Sequence, residues 1–402
     1  MGTCWHAAGG AAAPSLPGMR VRWVICLAAA AVLAACNGTG DETGDSTPVT
    51  TDGPVAEVPA EVQPLVDLAN GGQWRSTGDD TFEVWVCRVP LDVTAAIYGG
   101  LPLRLPLSPS DLADVLSEHV SGYFDTLSHG AYRPVFEAGG EVTLGAADEP
   151  QACIDDAIAG AGDSARAVLV VADAEHGADQ VGGFASGGDS CTTTPPCAVA
   201  ESRRFAYVGA SDFHPDWGDA PPMDLVEHEI GHTLGWQHSA VALAGAYDSG
   251  LDLMSNPAAP RAVDDQRRDG PDTLALNRLT AGWLPATDVW VAAASGGSVT
   301  LLPSTGLTGT RLAVLPCCDG SYVMIELLTD DGFNDHLPAA GIAVHLLALD
   351  VGELQAVTPL FGEPPYTDLL QPGDTLDVNG WLIEVGDGWT ITATPATSTP
   401  AT

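Results

Sequence analysis

The chain has no lysine, and its positive charge comes from 14 arginines against 53 aspartates and glutamates. The formal net charge is -39 at pH 7. Proteins that bind nucleic acids bring positive charge to the phosphates and release their counterions, so this composition excludes a nucleic-acid partner. Hydrophobic residues make up 45% of the 402 positions, which is ample for a folded core.

Long apolar runs are also missing, and the segment that comes nearest lies close to the N-terminus. Arg20 and Arg22 precede an apolar stretch at 23–35. A transmembrane helix needs about 20 apolar residues, so this stretch is too short to span a bilayer. It fits the hydrophobic region of a signal peptide, which predicts that the chain is exported.

The signal segment ends in the string LAAC at 33–36, which resembles a bacterial lipobox. In that motif the cysteine, here Cys36, is lipidated and becomes the first residue of the mature protein. We expect 1–36 to be the signal peptide with its lipobox, and Met19 is an alternative start. The protein would then be a lipoprotein, membrane-anchored at the extracellular face of a bacterial membrane. A plain signal giving a secreted protein is the alternative.

Cysteine pairs spaced as CxxC are absent, which argues against a cysteine-based zinc site. An even number of cysteines in an exported chain favours disulfides, and we predict Cys191 with Cys197 as one pair. The other pairings stay open. The six cysteines after the signal segment are Cys87, Cys153, Cys191, Cys197, Cys317 and Cys318. Residues 37–78, rich in Gly, Thr, Pro and acids, predict a disordered linker.

Several segments predict regular secondary structure. Ser108 as N-cap and Pro109 in the first turn begin an amphipathic helix. The apolar runs 167–172 and 205–210 predict buried strands. From residue 286 onwards, short strands alternate with Gly, Pro and Asp turns. The predicted fold class is therefore α+β, with a β-rich C-terminal domain.

The string HEIGHTLGWQH, which begins at His228, is the most informative part of the sequence. His228 and His232 are four residues apart and project from one face of a helix, so both imidazoles can bind one zinc ion. Glu229 lies beside the first ligand and can act as a general base. Gly235 tolerates the left-handed conformation that ends a helix, and the turn delivers His238 as third ligand. Three protein nitrogens leave one zinc position open, as in catalytic sites.

The remaining histidines and acids lack ligand-like spacing. Asp248 and Asp252 can either orient the ligands or bind Ca2+, so calcium stays open as a second metal beside zinc. No EF-hand spacing supports it. The other histidines after the signal segment are predicted to be structural or at the surface: His119, His129, His176, His214, His336 and His345.

HEIGHTLGWQH matches the signature HExxHxxGxxH of the metzincin zinc metallopeptidases at every fixed position. After it, the segment LDLMSNP resembles the Met-turn of that family, which implies that Met254 lies beneath the histidines without being a ligand. Within the family the chain is most similar to immune inhibitor A and gametolysin-like peptidases, with Gly282 and Trp283 following the Met-turn. Asn256 stands where some branches have a zinc-site tyrosine, so that role is not carried over.

The resemblance implies a zinc metalloendopeptidase that hydrolyses peptide bonds of a protein or peptide substrate, through a zinc-activated water and the general base Glu229. It also implies a metzincin-like catalytic domain at 79–285, with a twisted mixed sheet and an active-site helix, followed by a sandwich-like β domain at 286–396. By its position before that helix, 205–210 is expected to be the edge strand that binds substrate. A cysteine-containing pro-segment, found in other branches, is not recognisable here.

Two other functions remain open at this point. One is a surface-anchored binding lipoprotein whose β-rich region recognises a polymer or partner and whose peptidase site is latent or vestigial. The intact Glu229 and the three histidines argue against it. The other keeps the zinc but takes a cell-wall peptide or a non-peptide amide as substrate, which only the residues of the specificity pocket can decide.

Overall fold

The computed structural model describes most of the chain from residue 77 onwards. The continuous parts are 77–90, 104–145, 150–174, 203–210, 221–241, 249–348 and 368–396. Shorter described pieces are 60, 63, 65, 96–97, 101–102, 183–186, 213, 245–246 and 353–356. All of these residues belong to one compact unit, Glu57–Thr402.

The first part of this unit is a five-stranded sheet with helices. Its elements are β1 (Gly78–Arg88), β2 (Ala96–Ile97), β3 (Leu101–Pro102), α1 (Pro109–Leu127), β4 (Tyr132–Thr143), α2 (Pro150–Gly160), β5 (Ala167–Ala172), β6 (Gly183–Ser186), β7 (Arg204–Val208) and α3 (Asp224–Thr233). The strand order is β4-β1-β5-β7-β6. All neighbours are parallel except β6 and β7, and β2 pairs with β3 separately. The predicted mixed sheet is confirmed.

Helix α1 begins as its sequence predicts. Ser108 Oγ accepts a hydrogen bond from Asp111 N at 3.2 Å, which satisfies one of the unpaired N–H groups of the first turn. Pro109 lies in that turn, where its missing N–H is not needed. The residues at helical spacing are buried, and they are Leu112, Leu116, Val120, Tyr123, Phe124 and Leu127. One face of α1 therefore packs into the core.

Helices cover both faces of the five-stranded sheet. On one face, α1 and α3 share a core with strand residues such as Val84 and Leu169. On the other face, α2 packs against the intervening strand residues, such as Val168 and Val170. Successive side chains of a strand point to opposite faces, so β5 is buried along its whole length between two helical layers.

A disulfide joins Cys87 at the end of β1 to Cys153 in α2, with the two Cα atoms 5.9 Å apart. Both residues are buried, so the bond ties the sheet to the helix that covers it. Cys318 also forms a disulfide, whereas Cys317 is a free thiol.

The prediction that 205–210 forms the edge strand is wrong. β7 pairs with β5 on one side and with β6 on the other. Within the described residues, the outermost strand on this side is therefore β6, which runs antiparallel to β7. Helix α3 lies next to both strands. The position of 205–210 before α3 correctly indicated a strand that neighbours this helix. The pairing of β6 with β7 was missed, because local sequence patterns do not encode contacts between separate segments.

The second part contains two further sheets. Its elements are β8 (Ser239–Val241), β9 (Gly245–Ala246), α4 (Ala259–Val263), α5 (Ala275–Thr280), β10 (Val289–Val291), β11 (Gly297–Thr300), β12 (Leu312–Pro316), β13 (Tyr322–Leu328), β14 (Gly341–Ala348), β15 (Glu353–Ala356), β16 (Thr375–Val378), β17 (Trp381–Val385) and β18 (Thr390–Pro395). The strand order is β10-β12-β13-β14-β15-β8-β9 in the seven-stranded sheet and β11-β18-β17-β16 in the four-stranded sheet. Together with the first sheet, this gives an α+β fold.

The seven-stranded sheet contains strands from both sides of residue 286. β8, which begins directly after the third histidine of the motif, pairs in parallel with β15. β9 extends the sheet beyond β8. Hydrogen bonds of one sheet therefore cross the predicted domain boundary and reach the segment that carries the candidate site.

Two hydrophobic clusters lie on the two faces of the seven-stranded sheet. Leu315 of β12 belongs to a cluster with Ile383 and Ile391 of the four-stranded sheet. The preceding residue of the same strand, Val314, belongs instead to a cluster with Leu276 of α5. Alternate residues of β12 thus pack against the four-stranded sheet on one face and against α5 on the other.

Part of the predicted linker packs against the folded chain. Leu65, within 37–78, is fully buried and belongs to the cluster that contains Leu274 and Leu276. At this leucine the segment predicted as a linker contacts the folded part of the chain. Scattered apolar residues among Gly, Pro, Thr and acids have no helical or strand spacing, so the sequence signal was too weak to predict this contact.

Some sequence predictions concern residues outside the described parts. These are the signal segment with Cys36, most of the predicted linker, the disulfide between Cys191 and Cys197, and the residues His176, His214 and Asp248. Among the helices that the structure does describe, none combines the length and the apolar character needed to cross a membrane. Export, lipid attachment and this disulfide stay predictions.

Replacing Cys87 and Cys153 together by alanine is expected to lower the free energy of unfolding by about 4 kcal/mol, because the disulfide constrains a long loop of the unfolded chain. Denaturant unfolding of the oxidised parent and the double variant measures the difference. Cys317→Ala, which removes the free thiol, is the control and should change stability by less than about 1 kcal/mol. Equal stability of parent and double variant would contradict this role of the disulfide.

Candidate metal centre

Helix α3 ends in a turn that reverses the chain. Trp236 N donates to Gly231 O at 3.2 Å, and Gly235 N donates to His232 O at 2.9 Å, which together form a Schellman motif. Gly235 has a φ of 84°, a left-handed conformation that a residue with a Cβ adopts at a cost. The turn expected at Gly235 is therefore present, and it returns the chain to the face of α3 that carries the first two histidines.

The imidazoles of His228, His232 and His238 converge. One ligand atom of each lies within 4.8 Å of the other two, and Nε2 of His232 is 2.9 Å from Nε2 of His238. Three nitrogens bonded to one zinc ion at about 2.0–2.1 Å are about 3.3 Å apart, which is within this range. In the described parts of the chain, no other group of His, Cys, Asp or Glu is arranged this way.

Backbone carbonyls hold the other ring nitrogen of two of these histidines. His228 Nδ1 is 2.7 Å from Leu253 O, and His232 Nδ1 is 2.7 Å from Trp236 O. A carbonyl oxygen only accepts, so each Nδ1 carries the proton and each Nε2 presents a lone pair. Such partners fix the ring orientation of metal-binding histidines and raise their basicity.

Burial keeps the three imidazoles uncharged. It lowers the pKa of His228 to about 3 and that of His232 to about 4, and neighbouring imidazoles add to the effect. Burial also lowers the pKa of His238. The neutral imidazole is the form that binds metal ions, so all three histidines are in that form at neutral pH.

Glu229 follows His228 on α3, and only 3% of it is exposed. Burial raises its pKa to about 8. Its Oε2 atom has no hydrogen-bond partner among the described residues. A buried carboxyl group without a partner is costly, and such groups are concentrated at functional sites.

Met254 is fully buried against α3. A Cβ atom placed on Gly231 would lie 2.5 Å from Met254 Sδ and 2.9 Å from Trp236 Cε3. The missing side chain at Gly231 therefore allows the helix and the Met254 segment to approach each other. Met254 thus packs against the helix that carries His228, and it is not part of the histidine group.

Asp252 is buried and accepts hydrogen bonds from Ser239 Oγ at 2.7 Å and from Thr273 Oγ1 at 3.0 Å. Burial raises its pKa to about 6, although these hydrogen bonds act in the opposite direction. The described acids form no group that could hold a metal ion, so calcium has no support in this part of the chain.

Glu227 is a buried acid of α3 that the motif does not include. Its Oε2 accepts a hydrogen bond from Gly270 N at 2.7 Å, which ties the helix to the segment before α5. Burial, with the nearby Asp269 as second cause, raises its pKa well above the usual range. The only sequence signal was its place directly before His228, and acids in the first turn of a helix are common.

The predicted pair after the Met254 segment also packs near the site. Gly282 has a φ of 77°, and the buried ring of Trp283 lies edge-on to that of Trp236 with centroids 5.3 Å apart. Helix α5 ends at Thr280, just before this pair. Four other histidines are described, and none of them belongs to the group formed by His228, His232 and His238: they are His119, His129, His336 and His345.

The donor set fits zinc. Three uncharged imidazoles, two of them oriented through Nδ1, form a nitrogen site of the kind that zinc prefers. Glu229, adjacent to the first histidine, adds a carboxyl group with an unpartnered oxygen in the described surroundings. The three histidines can therefore hold a metal ion.

Comparison with known proteins adds little to this geometry. No protein-family model and no curated protein matches the chain. The archaemetzincin of Methanopyrus kandleri is a structural neighbour at 19% identity and a TM-score of 0.26, covering 50% of this chain and 95% of that one. A chaperone–substrate complex is another, at 11% identity and a TM-score of 0.27, covering 50% and 34%. TM-scores this low carry no argument about fold or function.

Gly231→Ala is expected to destabilise the site, because its Cβ would collide with Met254 and Trp236. Gly122→Ala on α1 is the matched control, since a Cβ there meets nothing within 4 Å. Both variants gain helix propensity, so the difference between their unfolding free energies isolates the collision and should be about 1–3 kcal/mol. Equal stability of the two variants would show that the helix and the Met254 segment are not in close contact.

Proposed function

We propose that the chain is an exported zinc-dependent endopeptidase of the metzincin type. His228, His232 and His238 hold the zinc ion, and Glu229 is the general base in peptide-bond hydrolysis. The observation that supports this most is the convergence of three uncharged imidazoles beside a buried carboxyl group without a described partner. A structural zinc site has four protein ligands, whereas the described residues supply three.

Glu229 has the properties that the base of such a reaction needs. Zinc, when bound, supplies a Lewis acid that polarises the scissile carbonyl and acidifies water. Positive charge in the site favours the carboxylate of Glu229, so the pKa of about 8 that burial alone produces falls towards the working range. The carboxylate would take a proton from the attacking water and, as the C–N bond breaks, pass that proton to the leaving amine. Burial limits the exchange of this proton with bulk water.

A protein or peptide substrate would bind in an extended conformation along β6. This strand replaces 205–210 as the candidate, because it is the outermost described strand beside α3. An edge strand offers unpaired backbone groups, and a peptide can add to it as a further strand. The resulting pairing would present the scissile bond to the histidine side of α3.

We also propose that the protein works outside the cell. The signal segment with Cys36 would place it as a lipoprotein at the extracellular face of a bacterial membrane, or release it by secretion. The catalytic domain would be 79–285, and its strands β8 and β9 would join the sheet of a sandwich-like β domain at 286–396. The hydrophobic cluster shared by the seven- and four-stranded sheets supports the second assignment.

Glu229→Ala and Glu229→Gln should retain zinc and lose peptidase activity. Removing a general base lowers kcat/KM by about 10²–10⁴-fold, whereas the three ligands stay intact. The measurements are the zinc content of the purified full-length protein and the cleavage of casein by parent and variants. Zinc without cleavage by the parent would contradict the proposed peptidase activity, and a parent that binds no zinc would contradict the site itself.

Removal of the metal tests which ion is needed. Dialysis against 1,10-phenanthroline should abolish casein cleavage, and one equivalent of zinc should restore it, because the nitrogen donor set favours zinc over hard cations. A calcium-selective chelator should leave the activity unchanged. Loss of activity under calcium chelation, with zinc still bound, would show that the acids of this chain hold a functional calcium ion.

A further inference from the structure

The three histidines are held in different ways. His228 and His232 belong to α3, so the helix itself fixes their backbone. His238 comes after the turn at Gly235 and directly before β8. Its position therefore depends on the chain that follows it, and the first residue of that chain is Ser239.

Ser239 is attached on two sides. Its backbone N–H donates to Met254 O at 3.0 Å, and its Oγ donates to Asp252 Oδ2 at 2.7 Å. Both contacts lead to the same short turn beneath α3. In the register of the seven-stranded sheet, Ser239 is also paired with Leu354 of β15. Ser239 is 1% exposed, so water does not replace these contacts.

The second oxygen of Asp252 fixes this turn to the start of α5. Oδ1 accepts hydrogen bonds from Thr273 Oγ1 at 3.0 Å, from Leu274 N at 3.4 Å and from Asn277 Nδ2 at 3.5 Å. Asp252 can accept hydrogen bonds on both sides because a carboxylate has two acceptor oxygens. The side-chain amide of asparagine has only one acceptor oxygen and could not replace both. Asp252 thus joins the segment behind His238 to a helix that packs on the C-terminal strands.

We propose that Asp252 is a positioning residue for the third metal ligand: through Ser239 it holds His238 against the turn of Met254, so that metal affinity depends on it. This inference rests on the proposed zinc site. Asp252 touches neither the imidazoles nor a reacting atom, and it acts through its neighbour. The C-terminal strands would then contribute to the position of His238. β15 pairs with Ser239, and the start of α5 is hydrogen-bonded to Asp252.

The test is the zinc Kd of the full-length protein, measured by competition with a chromophoric chelator. Asp252→Ala is expected to weaken binding by about 10-fold, the lower end of the effect of removing a direct partner of a ligand, because Asp252 acts through Ser239. Ser239→Ala removes one hydroxyl and should weaken it in the same direction with less effect on folding. Asp252→Asn keeps the shape and one acceptor, so its Kd should lie between those of the parent and Asp252→Ala.

Glu326→Gln is the matched control. Glu326 is a buried acid that accepts from Ala275 N at 3.1 and 3.0 Å, at the start of the same helix, and neither of these hydrogen bonds involves Ser239. This variant should lower thermal stability and leave the zinc Kd unchanged. The absorption spectrum of the cobalt-substituted protein adds a second readout, because loss of one imidazole changes the ligand field whereas loss of stability does not.

The outcomes separate the two proposals. A weakened Kd and an altered cobalt spectrum in the Asp252 and Ser239 variants, with both unchanged in Glu326→Gln, support the positioning role. Parent-like zinc affinity in Ser239→Ala and Asp252→Asn overturns it, even if the parent binds zinc and cleaves casein. A parent that binds no zinc overturns the proposed function and this inference together. Should Asp252→Ala fail to fold, Ser239→Ala and Asp252→Asn still decide the question.

Discussion

The convergence of the three imidazoles depends on the left-handed turn at Gly235. A helix that continued past His232 would carry the chain away from the first two histidines, whereas the turn returns it within a few residues. The same turn places the carbonyl of Trp236 where it accepts from His232 Nδ1. One backbone conformation therefore delivers the third histidine and orients the second.

Burial gives this arrangement its chemical character. It lowers the pKa values of the three imidazoles and raises that of Glu229, so burial favours the uncharged form of all four groups in the protein alone. A divalent cation would reverse the balance, because it would accept the imidazole lone pairs and bring positive charge into the site. The close approach of Met254 to Gly231 packs the buried side of this helix against the Met254 segment.

Local features of the sequence predicted local structure well. The N-cap at Ser108, the buried strand at 167–172 and the turn at Gly235 each follow from neighbouring residues. Features that depend on distant contacts were missed or wrong: the internal position of β7, the burial of Leu65 and the partnership of Asp252 with Ser239. Their physical cause is pairing between segments far apart in sequence, which short-range patterns do not record.

Zinc K-edge X-ray absorption of the full-length protein, loaded with one equivalent of zinc, tests the assignment of the metal ligands most directly. The histidine site predicts nitrogen and oxygen scatterers at about 2.0–2.1 Å, with the outer-shell signal of three imidazoles and no sulfur at about 2.3 Å. The imidazole signal should fall by one third in His238→Ala. A sulfur shell, or a spectrum that His238→Ala leaves unchanged, would contradict the site formed by His228, His232 and His238.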